Sequence, residues 1–257
     1  MKAVLTVLGS GTSVGVPTIG CDCAVCHSSD PKDRRTRPSV LIEYNDRSIL
    51  IDTTPDFREQ AIRERIRRLD AVFYTHPHAD HLLGIDDLRP LSYQHRPGKL
   101  PLYARPEAVE FIRNMFGYIF KANYKFGGLP QLELIPLTGP LELFGARFEP
   151  VTVIHGEMEI LGFRFGSAAY LTDHSEIPED SLTKLQHLDI LFLDALRHQP
   201  HPTHSTVENS LRIVERLQPQ RAFFTHICHD LPHQATNASL PGNVRLSYDG
   251  MKLEFEI

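Results

Sequence analysis

The chain has 257 residues, 41% of them hydrophobic and 23% charged, with a formal net charge of -5. That is long enough to bury a full core, in one large domain or two joined halves, and too near neutral to make nucleic acid or an anionic membrane the default partner. No apolar run approaches bilayer-crossing length, so no membrane partner is expected.

The opening MKAVLTVLGSGTSVGVP carries one lysine and a short apolar stretch broken by glycines, which predicts a first strand rather than a secretion signal. Four cysteines without such a signal fit a reducing compartment, where clustered thiols are metal ligands rather than disulfides. The expected location is the cytoplasm. A polar loop, CDCAVCHSSDPKDRRTRP, follows the first strand, and SVLIEY and SILID flank NDR as a hairpin. Thr54 and Pro55 mark a helix start, with Phe57, Ala61, Ile62, Ile66 and Leu69 as its apolar stripe. AVFYT reads as a buried strand and HLLGIDDLRPL as a helix beyond it. Two more helices, PEAVEFIRNMFGYIF and STVENSLRIVERLQ, alternate with strand-like LPLYA, RFEPVTVI, FRFGSAAYLT, DILFLDA, RAFFTHI and a closing VRLSYDGMKLEFEI. Hairpins mixed with β-α alternation predict an α/β layered architecture, sheets packed together with helices outside. An internal seam is expected near Gly139 to Gly145, with residues 1–257 read as a single domain.

The chemistry concentrates in HPHADH. A strand giving way to loop can project His76 and His78 to one side, and Asp80 and His81 follow within a turn. Neutral imidazoles and a carboxylate suit Zn²⁺, Mn²⁺ or Fe²⁺, and four such groups in six residues exceed what one ion takes from so short a segment. Two neighbouring ions are expected. Further candidates close strands: His155 in EPVTVIHG, Asp173 in SAAYLTD, whose carboxylate can bridge two cations, and His226 in RAFFTHI. Asp52 closes SILID and is either a ligand or an acceptor that fixes a histidine tautomer.

This ordered series resembles the metallo-β-lactamase superfamily over nearly the whole chain. The resemblance implies an αββα sandwich, two mixed sheets flanked by helices, with metals at one edge between the sheets. It implies that His76, His78 and His155 hold one ion, that Asp80, His81 and His226 hold the other, that Asp173 bridges them and that Asp52 lies behind the ligands.

Cys21, Cys23 and Cys26 form C-x-C-x-x-C, a spacing that wraps one tetrahedral Zn²⁺ when a fourth ligand arrives from elsewhere. Cys228 and His229, in THICHD, are the candidates. A continuing strand would put Cys228 on the face of His226 and turn His229 toward a different site, so His229 is chosen. The pairing of GSGTSVGVPTIGCDCAVC with THICHD resembles the phosphoribosyl cyclic phosphodiesterase branch of the superfamily, associated with phosphonate breakdown. That resemblance implies one structural zinc on Cys21, Cys23, Cys26 and His229, and a catalytic role for His204 in PTHSTVENSL.

Two cations sharing a bridging hydroxide lower the pKa of water and place it in line with phosphorus, while a histidine such as His204 supplies the leaving alkoxide with a proton or compensating charge. Catalysis is assigned to His204, Asp80 and Asp173, on two divalent ions (Zn or Mn). The expected activity is metal-dependent hydrolysis of a small cyclic phosphodiester, foremost a phosphoribosyl 1,2-cyclic phosphate. The rival readings are tRNA 3′-processing and a noncatalytic metal or metabolite carrier. Expected partners are the small substrate and, as a candidate, a second copy of the chain in a homodimer, with nucleic acid disfavoured. For Arg197, His198 and His201 a solvated loop is preferred to a second phosphate site, and for GSGTS a tight turn is preferred to a phosphate cradle.

Overall fold

The computed structural model describes residues 1–121 and 128–257. Six strands come first: β1 (Lys2–Gly9), β2 (Ser39–Tyr44), β3 (Arg47–Ile51), β4 (Ala71–Phe73), β5 (Leu100–Ala104) and β6 (Leu132–Pro136). Seven more follow: β7 (Leu141–Leu143), β8 (Ala146–His155), β9 (Met158–Phe165), β10 (Ala168–Leu171), β11 (Ile190–Asp194), β12 (Arg221–Thr225) and β13 (Val244–Leu246). The last, β14 (Lys252–Glu256), returns to the first sheet. Two seven-stranded sheets result, ordered β14-β1-β2-β3-β4-β5-β6 and β13-β12-β11-β10-β9-β8-β7.

The sheets face each other across an apolar layer that includes Leu5, Ile42 and Phe73 from one and Phe148, Phe163 and Phe192 from the other. Phe73 stacks on Phe148 with ring centroids 5.1 Å apart. The outer face of the first sheet is covered by α1 (Phe57–Arg63), α2 (Ala79–Leu82), α3 (Arg89–Ser92) and α4 (Pro106–Met115). That of the second is covered by α5 (Glu179–Thr183) and α6 (Val207–Leu217), with α7 (His233–Ser239) beside β13. This is the αββα sandwich with mixed sheets. Among the described residues no helix is long and apolar enough to cross a membrane.

Local chemistry explains the hairpin. Asn45 and Asp46 turn between β2 and β3 with φ of 47° and 56°, the left-handed pair that suits the twist of a two-residue hairpin. α6 starts on Thr206, whose side chain accepts from Asn209 N, and stops at Gln218 in the left-handed region. The chain crosses from one sheet to the other between β6 and β7, within and just before the stretch where the sequence suggested a seam.

Several elements differ from expectation. The stripe from Phe57 to Leu69 predicts one long helix, but α1 stops at Arg63 because Arg65 takes a φ of 57° and Ile66 N folds back onto Ala61 O. Ile62 is left 62% exposed. HLLGIDDLRPL is not one helix: α2 gives way to a 3₁₀ stretch at Leu83–Leu88 and then α3. Gly84 sits there because a Cβ would lie 2.1 Å from Thr54 O. FRFGSAAYLT breaks at Gly166 (φ 56°) into β9 and β10, and the closing run breaks at Gly250 (φ 86°) into strands of different sheets.

Candidate metal centre

Strands β3 to β6 and β10 to β13 pair in parallel, so their C-terminal ends share one edge of the sandwich. Open parallel sheets present ligand-binding groups there. Asp52 follows β3, His76 lies just past β4, His155 ends β8, Asp173 lies past β10, Asp194 ends β11 and His226 follows β12. Asp52, Asp173 and His226 leave their strands with φ of 65°, 53° and 57°. This conformation costs a non-glycine residue free energy and persists where surroundings hold it; here it turns the side chain across the strand end.

Two donor clusters meet at that edge. His76, His78 and His155 form one, and Asp80, His81, Asp173 and His226 the other, each set offering ligand atoms within 4.8 Å of one another. His76 Nε2 lies 3.0 Å from His78 Nδ1. Asp173 stands between the clusters: Oδ1 is 3.2 Å from His81 Nε2, while Oδ2 is 3.2 Å from His226 Nε2 and 3.9 Å from His76 Nε2. Asp80 Oδ2 is 3.4 Å from His81 Nε2 and 3.5 Å from His226 Nε2.

Neighbours fix the ring tautomers. Asp52 accepts from Thr75 N and Oγ1, both at 2.8 Å, and pairs with His81 Nδ1 at 2.7 Å, which commits that nitrogen and leaves Nε2 for the centre. Asp52 thus lies behind the cluster. His155 Nδ1 donates to Thr203 O at 2.8 Å, again freeing Nε2.

Asp80 Oδ2, His81 Nε2 and His226 Nε2 are buried without a hydrogen-bond partner. Leaving three such atoms unpaired is costly, and their convergence on a common point fits a divalent cation. Electrostatics agree. Burial works against charge on His81, but Asp173, Asp80 and Asp52 outweigh it and raise its pKa well above the imidazole range. Burial likewise opposes charge on His226, and Asp173 with Asp80 and Asp194 pushes it up to about 9. Asp173 is held well below the usual carboxylate range, with burial overcome by His226 and His81. The centre therefore collects positive charge, as protons when no cation competes.

Cation loading must displace those protons. At pH 7.5 the metal-free protein is expected to release more than one proton on taking up Mn²⁺, and affinity is expected to rise with pH through about 9, the value of His226, with His81 also still to be deprotonated. Calorimetry in two buffers of different ionisation enthalpy measures this; an affinity flat from pH 6 to 9 contradicts it.

His204 stands over both clusters. Its ring is 4.8 Å from that of His155 and stacked at 4.6 Å on that of His226. Nδ1 is 2.7 Å from Asp194 Oδ2, so Nε2 is left to face the centre. Burial, then the charge on His226, lowers His204 to about 4. His78 is exposed, which puts the mouth on its side of the centre. The loop carrying His204 also holds the secondary candidates. His198 pairs with Glu208 at 2.6 Å in an exposed position, and Arg197 bonds to the carbonyls of Gln199 and Pro200. His201 has its ring 5.0 Å from that of His204. In GSGTS the amides of Ser10, Gly11 and Thr12 donate to Asp249, Thr36 and Ile227, so these three are committed within the fold.

A family model described as the β-lactamase superfamily domain matches residues 47–227. The chain belongs to that superfamily. A crystal structure described as a new diphosphatase from the PhnP family is 58% identical, with a TM-score of 0.94, covering 99% of this chain and 98% of that one. An octanoyltransferase of Porphyromonas gingivalis is 38% identical over 257 residues, 98% of this chain and 51% of that protein. A ribonuclease Z of Bradyrhizobium sp. (strain ORS 278) is 28% identical over 148 residues, 55% of this chain and 48% of that protein. The chain spans about half the length of these curated relatives.

In this superfamily member a third donor cluster lies apart from the first two. His229 Nδ1 is 3.2, 3.3 and 3.5 Å from the sulfurs of Cys21, Cys23 and Cys26. Cys228, the other candidate, is buried elsewhere, with its N–H on Leu196 O. The Cys26 N–H donating to its sulfur holds Cys23 down at about 6, near the thiolate form a soft cation needs, while burial pushes Cys26 up to about 11, so that thiol gives up its proton only as a cation binds. Three thiols and an imidazole suit tetrahedral zinc. Replacing Cys21 with serine is expected to remove one zinc per chain and lower Tm by on the order of 10 °C. Zinc analysis with a thermal melt checks this, and an unchanged Tm contradicts it.

Asp194 was not among the residues singled out from the sequence. It closes an apolar run in DILFLDA as Asp52 and Asp173 close theirs, so the same strand-end signal was present.

Proposed function

We propose that the protein is a metal-dependent phosphoester hydrolase acting on a small phosphodiester at the edge of the sandwich. The observation that carries this reading is the position of His204, backed by Asp194 at 2.7 Å and set against rings of both donor clusters. A group held at both clusters lies within its reach.

His76, His78 and His155 would hold one divalent cation and Asp80, His81 and His226 a second, with Asp173 touching both; zinc and manganese both suit these donors. Bound there, such cations supply Lewis acidity, lowering the pKa of water and offsetting phosphoryl charge. The chain's own groups do the rest. Asp52 and Thr203 hold His81 and His155 with Nε2 forward. His204, neutral before substrate binds and with its Nδ1 committed to Asp194, presents Nε2 to the leaving oxygen; the negative charge of a bound phosphodiester would favour its protonation, and the ring would then hand that proton to the leaving oxygen. The cluster of Cys21, Cys23, Cys26 and His229 would hold a structural zinc.

For substrate we favour a ribose 1,2-cyclic phosphate, in which opening the ring leaves a phosphomonoester. The similarity to a PhnP-family diphosphatase supports small phosphate esters and adds a diphosphate as the second substrate to test. The ribonuclease Z relatives favour precursor tRNA as the second reading. Parallel assays on these three with Mn²⁺ or Zn²⁺ and with chelator test the proposal. Chelator-sensitive opening of the cyclic phosphate is expected; cleavage of precursor tRNA alone would replace the reading.

A further inference from the structure

Arg35 is 1% exposed, the first by size among the fully buried side chains. Its Nη1 donates to Cys228 O at 2.7 Å and its Nη2 to Leu231 O at 2.6 Å and to Asp33 Oδ1 at 3.0 Å. The two carbonyls flank His229, whose ring lies on the three thiols, and the same stretch begins with His226 at the other centre. One guanidinium therefore clamps the turn that runs from one donor cluster to the other onto the chain leaving the cysteine loop. Main-chain bonds from Ile227 to Ser10 and from Cys228 to Leu196 hold the turn's start.

Burying a guanidinium costs desolvation free energy, and an apolar side chain of similar volume would fill this space without it. What an apolar side chain cannot do is fix four acceptors, Lys32 O among them, with one rigid fork. The acceptors matter because His226 sits at a φ of 57°, a conformation that relaxes unless its neighbours restrain it. Relaxation at His226 would carry Nε2 away from Asp80 and Asp173. His76, His78 and His155 come from β4 and β8 and do not share that turn.

We propose that Arg35 is a positioning residue that couples the two kinds of metal centre, so that zinc on Cys21, Cys23, Cys26 and His229 raises the affinity of the Asp80, His81 and His226 position for its cation. The inference rests on the two-cation reading above. By linkage, the coupling is reciprocal.

The test is a Mn²⁺ titration of the zinc-containing protein, followed by calorimetry and by electron spin resonance of free Mn²⁺; the hard cation leaves thiolate-bound zinc in place. His226→Ala marks which binding phase belongs to which position. In Arg35→Lys, with unchanged circular dichroism and one retained zinc, the phase that depends on His226 is expected to weaken about 10-fold, within the usual range of coupling between sites, while the other phase stays put. Cys23→Ser, which loses the zinc and keeps Arg35, is expected to weaken the same phase and serves if Arg35→Lys does not fold. General loosening would weaken both phases equally, and that result, or no change in either, overturns the coupling. Two wild-type phases with unaltered variants overturn the coupling and leave the two-cation reading standing; a single wild-type phase overturns the two-cation reading and this inference with it.

Discussion

Asp173→Ala is expected to abolish hydrolysis, with a loss beyond the roughly 10⁴-fold that removing a general acid or base can cause. The reason is its place between the clusters, with one oxygen 3.2 Å from His81 Nε2 and the other 3.2 Å from His226 Nε2. Without it His81 and His226 lose the carboxylate that does most to offset their burial. The donors that remain would share one fewer negative charge between two positions, so cation occupancy falls along with rate. Rate and metal content measured on the same sample check this. Wild-type activity in the variant would show that Asp173 touches neither cation.

His204→Ala has a different signature. Its ring stacks on His226 and lies within donor distance of His155 with Asp173 and of Asp194 with His226, but it is no part of the Asp80, His81, Asp173 and His226 set or of the His76, His78 and His155 set, so both cations are expected to stay while hydrolysis slows by about 10²- to 10⁴-fold. The loss should shrink for a substrate whose leaving group is already acidic, because such an oxygen needs no proton. Comparing a p-nitrophenyl diester with an alkyl diester reads this directly. An equal loss on both would mean that His204 orients the substrate instead of serving the leaving oxygen.

Much of the centre was legible because its residues sit where apolar runs end. Asp52, His76, Asp173 and His226 each follow a buried strand and His155 ends a half-buried one, and period and composition find such strands well. The role of His204 came from resemblance to a family, while its orientation by Asp194 needed the neighbouring strand. β6 and β7 escaped notice because LELIP and LEL are short and half exposed. α7 has no apolar stripe: HQATNAS is helical because Asp33 accepts from His233 N and β13 packs against it. The break in the closing run was signalled by Asp249-Gly250, a turn pair, and Asp249 is held there by Ser10 and Thr36. Arg35 was hidden because two of the carbonyls it binds lie 193 and 196 residues away, and its near partner Asp33 reads as one more charge in a polar loop.

On the proposed reading, strand ends from two sheets bring their side chains together to hold a pair of cations beneath His204. Anomalous diffraction from crystals grown with Mn²⁺ tests it most directly. The expected result is two peaks, one against His76, His78 and His155 and one against Asp80, His81 and His226, with an Asp173 oxygen on each. A single peak, or none among these residues, would contradict it.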